Sequence, residues 1–175
     1  MENQSKNSKI PYPYLPLGRE ILYVDQDNPY MKEAEQIART SNEKQQPTGA
    51  VIVCNNTIIA QASNQNPLTS ERMISLHKEF CVRHFFKIKS GEMFWLCPGC
   101  AGKESHAESR AVKQLQKNGI PNEPVDIYLW GHWWCCDVCW KNMLKIPTLR
   151  NVYLLLNSEV LFNPKKEGNI IGKNA

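Results

Sequence analysis

No run of apolar residues in this chain approaches the length of a membrane-crossing helix. The longest, such as Val152–Leu156, fall far short of the roughly 20 residues a bilayer takes. Charge of one sign is scarce too: 21 Lys and Arg against 17 Asp and Glu leave +4, without the clustered basic stripe of a polyanion reader. The first residues, MENQSKNSKI, lack the apolar stretch of a signal peptide, and no internal repeat or low-complexity tract is visible. These absences point away from a membrane protein and a repeat array. They set a cytoplasmic location as the expectation, and there disulfides are rare. What remains, 175 residues with 42% hydrophobic and 22% charged, suits one globular domain able to bury a core without staples.

Seven cysteines in such a compartment ask for metal or catalysis more than for bridges, and the odd count points the same way. Most gather in two places. CPGC (97–100) has Cys81 upstream, and GHWWCCDVCW (131–140) packs three thiols among three tryptophans and a histidine.

Along the chain, residues 1–27 carry Pro11, Pro13 and Pro16 and read as a loose N-terminal arm or a lead-in that packs on the surface. Asn28 can cap a helix, Pro29 suits its first turn, and Met31, Ala34, Ile37 and Ala38 recur at helical spacing. Gly49–Cys54 and Thr57–Ala62 flank Asn55 and Asn56 and predict a hairpin. An insert follows over 67–104, with a helix expected at Ser70–Lys89 and then the turn-rich GEMFWLCPGCAGKES. Ser105 and Glu108 have capping-box spacing, predicting a helix to Asn118 that Gly119 stops. Val125–Trp130 and Asn151–Leu156 read as strands, and the cysteine-rich stretch opens a helix between them that Pro147 ends. The expected organisation is an arm (1–27), one domain (28–163) and a tail (164–175). Alternating helices and strands predict an α/β fold with three α/β/α layers, its mixed sheet opening on an antiparallel hairpin and continuing with parallel strands.

Metal-binding chemistry opens each strong helix: His106 and Glu108 in one first turn, Cys136 and Cys139 in the other. Helices that follow parallel strands start on the same edge of a sheet, so the two turns can face each other. A C-x-x-C spacing lets two thiolates bind one ion, and His106 completes three protein ligands with the fourth position left to water. A carboxylate beside that water, Glu108, can accept and pass on its proton. The plainer readings are a capping histidine, a capping-box glutamate and a spare thiol pair. A thioredoxin-like redox pair at Cys136 and Cys139 leaves His106 and Glu108 unexplained.

In HAE (106–108) followed by CDVC (136–139), the sequence resembles the zinc-dependent cytidine deaminase superfamily, whose signature is H-x-E and then P-C-x-x-C. GAVIV (49–53) with ASNQNP (62–67) resembles the first hairpin of the deoxycytidylate deaminase branch, and by that likeness Asn64 would contact the sugar. The resemblance spans about Asn28 to Leu156. It implies the cytidine deaminase-like fold and one catalytic Zn2+ per chain on His106, Cys136 and Cys139. The implied reaction is hydrolytic deamination of a cytosine nucleotide, dCMP to dUMP or a close relative, in which a zinc-activated hydroxide attacks C4 while Glu108 moves the protons. It also implies a homo-oligomer with a small nucleotide as its partner. A base in tRNA or another polynucleotide, a free nucleoside and guanine are the alternative substrates; the modest net charge gives nucleic acid little support. A zinc-stabilised binding module is the non-enzyme alternative. The sequence departs from the pattern where Cys135 replaces the usual proline and Gly131, His132, Trp133 and Trp134 replace smaller or acidic residues. Those changes leave the zinc ligands intact and fall on the loop that helps line the pocket.

Cys97 and Cys100, with proline and glycine between them, look like a zinc knuckle. Cys81 and a histidine, His84 or His77, would complete a second, structural Zn2+, and some deoxycytidylate deaminases resemble this in carrying an extra zinc within the same insert. The plain alternative is free thiols in a loop. Trp133 and Trp134 are candidates to stack on a base, worth roughly 1–3 kcal/mol per base, or to fill core. His132 is a candidate for phosphate binding, loop orientation or capping. Cys135 points about 100° away from Cys136 if both are helical, and so reads as buried apolar filling. Cys54 also reads as core. Arg72 and the pair Lys165–Lys166 are candidate phosphate contacts, though surface charges are usually only solvated.

Overall fold

A computed structural model describes residues 10–43, 46–89, 92–100 and 105–171. The first nine residues of the expected arm, residues 172–175 of the tail, and 90–91 and 101–104 of the insert lie outside them. In chain order the elements are β1 (Ile21–Val24), α1 (Pro29–Ala38), β2 (Gly49–Cys54), β3 (Thr57–Ser63), α2 (Glu71–Glu79), α3 (Val82–Phe85), a 3-10 turn (Phe94–Leu96), α4 (Ala107–Asn118), β4 (Val125–Trp130), α5 (Asp137–Met143), β5 (Leu149–Leu155) and α6 (Ser158–Leu161).

Every residue of β2, GAVIVC, is buried, as a strand must be when layers cover both of its faces. Ala50, Ile52 and Cys54 point to one side, where they join Ala111, Val112 and Leu115 of α4 and Trp140 and Met143 of α5. Val51 and Val53 point to the other and meet Met31 and Ala34 of α1. The period of two in the strand thus separates two cores and makes the expected three layers. Gly49 is required where α1 crosses: a Cβ there would fall 2.0 Å from the Ala34 carbonyl oxygen. Asn28 caps α1 as its sequence suggests, its Oδ1 accepting from the amides of Tyr30 and Met31 at 3.0 and 3.1 Å. Asn55 and Asn56, at φ 47° and 60°, turn β2 into β3 in the left-handed conformation that a tight hairpin needs.

The sheet order is β1-β5-β4-β2-β3. Both β3 and β4 pair antiparallel with β2, while β5 pairs parallel with β4 and β1. β3 and β4 therefore run the same way, and α4 and α5, which follow them, begin at the same end of the sheet. That topology creates the site.

Three expectations need correction. Residues 21–24 are not loose arm: ILYV pairs with β5 from Ile21↔Val152 to Val24↔Leu155, because its apolar side chains complete that flank of the sheet. The helix expected over Ser70–Lys89 is broken, since Phe80 and Cys81 are extended (φ −138° and −107°) between α2 and α3. The Ser105–Glu108 capping box does not form. α4 begins at Ala107 with His106 as its cap residue, and Glu108 is buried in its first turn.

Candidate functional site

The caps of α4 and α5 converge. His106 Nδ1 lies 3.3 Å from Cys139 Sγ and 3.6 Å from Cys136 Sγ, and the three ligand atoms are all within 4.8 Å of one another. Cys136 caps α5 through sulfur, accepting from the Cys139 amide at 3.4 Å. A zinc ion about 2.3 Å from sulfur and 2.0–2.1 Å from nitrogen spans tetrahedral edges of about 3.6–3.8 Å. The observed separations and the soft donor set fit that ion. Hydrogen bonding from Cys139, followed by that from His106, pulls the Cys136 thiol down to about 4. The Cys139 thiol is pushed well up, chiefly by its hydrogen bond to Cys136.

Glu108 is 5% exposed. Burial pushes its carboxyl above the usual carboxylate range, against the opposing pull of His106. Two groups invisible in the motif brace the cluster: Ser109 Oγ sits 3.7 Å from Cys139 Sγ and accepts from Asn142 Nδ2 at 2.9 Å. Cys135 is fully buried and stands outside the ligand group; burial, then the neighbouring charge of Glu108 and a hydrogen bond with it, pushes its thiol well up. All seven cysteines are free, and Cys54 belongs to the core.

A cavity of about 610 Å³ opens over the cluster, lined by His106, Glu108 and Cys136 together with Gln46, Thr48, Asn64, Phe94, His132 and Trp134. Of the tryptophan pair only Trp134 is among these lining residues. Trp134 is also a buried member of the core, while Trp133 is half-buried and packs against both cores. Burial, then the charge of His106, lowers His132 to about 4, so it is neutral at pH 7. Asn64 lines the cavity, but its amide is largely engaged in holding loops. Its Oδ1 accepts from the Thr48 amide and Ser41 Oγ, both at 2.8 Å, and its Nδ2 donates to the Gln46 carbonyl at 2.9 Å. One amide hydrogen is left for a ligand. Arg72, Lys165 and Lys166 do not line the cavity, and Lys166 pairs with Glu159 at 3.0 Å.

The insert carries a second cluster. The ligand atoms of His77, Cys81, Cys97 and Cys100 lie within 4.8 Å of one another, with Cys81 Sγ 3.9 Å from Cys97 Sγ and 3.6 Å from Cys100 Sγ. His77 Nε2 is 3.3 Å from Cys100 Sγ. The histidine here is His77, and the expected His84 is not a member. On an unbroken helix either residue would share a face with Cys81, at four or three residues' separation; the break at Phe80 leaves His77 on α2 facing the thiols and His84 exposed on α3. Gly99 makes room for that imidazole, since a Cβ there would fall 2.4 Å from its ring. Three thiols and one imidazole at tetrahedral spacing form a closed donor set, the kind that suits structural zinc. His77, Cys81, Gly99 and Cys100 also line the cavity above His106.

A three-layer α/β sheet with an open three-ligand cluster at two converging helix caps, and a buried carboxylate beside it, defines a class of metal-site α/β folds. This chain belongs to the cytidine and deoxycytidylate deaminase family, whose zinc-binding-region model matches residues 24–155. Among solved structures, the apo dCMP deaminase from the cyanophage S-TIM5 is similar at 20% identity, with a TM-score of 0.45, over 76% of this chain and 86% of that one. No curated protein matches the sequence. Among the described residues no helix is long and apolar enough to cross a membrane.

Proposed function

We propose that this chain hydrolyses the exocyclic amine of a cytosine nucleotide, dCMP or a close relative, releasing ammonia. The observation that carries the reading is Glu108, buried in the first turn of α4 beside the His106, Cys136 and Cys139 ligand atoms and facing the same cavity. Zinc on those three ligands would supply the acidity that lets a water react at neutral pH. Glu108 takes up the proton of the attacking water, since burial raises its hold on a proton. It delivers that proton to ring N3, then takes the second proton from the hydroxyl now on C4 and passes it to the amine, which departs as ammonia and leaves the C4 carbonyl. Trp134 offers the base a flat wall, the free amide hydrogen of Asn64 reaches toward the sugar, and neutral His132 holds the loop between them. The second cluster, with His77 as its fourth ligand, binds a structural zinc that shapes the cavity wall. The same reading includes assembly as a homo-oligomer and a cytoplasmic setting.

Ammonia release from a panel of cytosine, cytidine, CMP, dCMP, guanine and adenosine tests the substrate, with dCMP expected to be fastest. In the same assay Glu108→Gln is expected to lose about 10²–10⁴-fold in turnover while metal content and folding are kept. A near-normal rate in that variant would refute the role of Glu108.

A further inference from the structure

Two side chains join the ligand clusters, and neither has a part in the reading so far. Arg83 follows the ligand Cys81 by two residues and is buried, at 7% exposure. Its guanidinium donates to the Glu92 carbonyl at 2.9 Å and the Lys89 carbonyl at 3.1 Å. The same group lies 4.2 Å from the ring centroid of Phe94, which precedes the ligand Cys97 by three residues. The Phe94 ring in turn meets the His106 imidazole edge to face, with centroids 5.6 Å apart and planes at 86°. A continuous path therefore runs from Cys81 through Arg83 and Phe94 to His106. A buried cation is costly unless well partnered. Two carbonyls, an aromatic face and the Cys100 sulfur partner this one, and they tie it to the segment that bears Cys97 and Cys100.

We propose that Arg83 and Phe94 are positioning residues that couple the two clusters. Metal on His77, Cys81, Cys97 and Cys100 fixes the segment around Phe94, the Phe94 ring then holds the His106 imidazole in its binding orientation, and the three-ligand cluster gains affinity. The proposal rests on both clusters holding metal. Its basis is that metal bonds tolerate only about 0.2 Å of misplacement. Neighbours that orient a ligating histidine are accordingly worth about 10–100-fold in metal affinity.

The test uses the full chain loaded with zinc or cobalt(II). Atomic emission counts metal per chain, and chelator competition gives each affinity. Cobalt absorption separates a three-thiolate site from a two-thiolate one. Phe94→Leu is expected to weaken the three-ligand site about tenfold and, because coupling between two binding sites is reciprocal, to weaken the four-ligand site only while the three-ligand site is loaded; Phe94→Tyr, which keeps the ring, should retain wild-type affinity. Cys97→Ser should weaken the three-ligand site by a similar factor in the wild-type background and add nothing in the Phe94→Leu background, where the path is already cut. Should Cys97→Ser fold badly, Arg83→Met leaves all seven ligands in place and should give the same tenfold loss. Two metals per chain with additive effects, or a three-ligand affinity unmoved by Phe94→Leu or Arg83→Met, overturns the coupling and leaves the two-metal reading standing. One metal per wild-type chain overturns the two-metal reading and the coupling together.

Discussion

Adding one methyl group at residue 99 should take a metal ligand away. Gly99 has no left-handed backbone angle, so alanine is tolerated there by the main chain, but its Cβ would sit 2.4 Å from Cγ and Cδ2 and 2.6 Å from Nδ1 of His77. Carbon atoms rest about 3.5–4.0 Å apart, so the imidazole must retreat by about 1 Å. That is several times the ~0.2 Å a metal bond tolerates, and it carries Nε2 away from its place 3.3 Å from Cys100 Sγ. Structural zinc in four-ligand peptide sites binds with about 10–16 kcal/mol. A quarter of that, about 3 kcal/mol, corresponds to about a hundredfold in affinity. Gly99→Ala should therefore bind zinc at the second cluster about a hundredfold more weakly in chelator competition, with its far-ultraviolet circular dichroism unchanged. Wild-type affinity in this variant would show that His77 is not a ligand.

Three further outcomes are expected. Trp134→Ala should raise KM for the cytosine substrate about 10–100-fold, the equivalent of roughly 1–3 kcal/mol of base stacking, and steady-state kinetics with an unmoved KM would remove the stacking wall. His132 has a folded pKa of about 4 against 6.5 ordinarily, so between those values the unfolded chain binds the extra proton. The stability this residue confers is present above pH 6.5 and is lost as pH falls toward 4. Urea titrations over that window should show His132→Gln losing less stability than wild type, by at most about 3 kcal/mol. Gly49→Ala drives a Cβ against the α1 backbone, 2.0 Å from Ala34 oxygen and 2.7 Å from Ala38 nitrogen. It should cost about 3 kcal/mol, and an unchanged urea midpoint would mean that α1 does not pack there.

The sheet and its two main helices were legible because their signals are local. Asn28 before Pro29, the Asn55–Asn56 turn and the all-apolar β2 each specify their own geometry. The three-ligand cluster was legible for a related reason: His106, Cys136 and Cys139 all sit at the cap or first turn of a helix, and the strand directions bring those helix starts together. The sequence hid what depends on a single distant contact. ILYV at 21–24 carries no alternation or turn signal of its own and is a strand only because β5 offers it a partner. The choice of His77 over His84 rests on two extended residues, Phe80 and Cys81, that interrupt an otherwise helical pattern. Glu108 fits a capping box in sequence, and only the converging helices show that its carboxylate turns inward instead. Trp133 and Trp134 are adjacent and alike in sequence, yet Trp134 is buried in the core and reaches the cavity wall, while Trp133 is half-buried against both cores.

The pairing of ILYV with β5 bears on how the molecule keeps to itself. β5, LRNVYLL, is apolar along much of its length and has β4 on one side only. Stripped of residues 21–24, it would present a bare rim of amides and carbonyls, a ready template for stranger chains. The short first strand thus covers about half of a longer, more apolar rim, and a version of this protein shortened past residue 24 is expected to clump more readily.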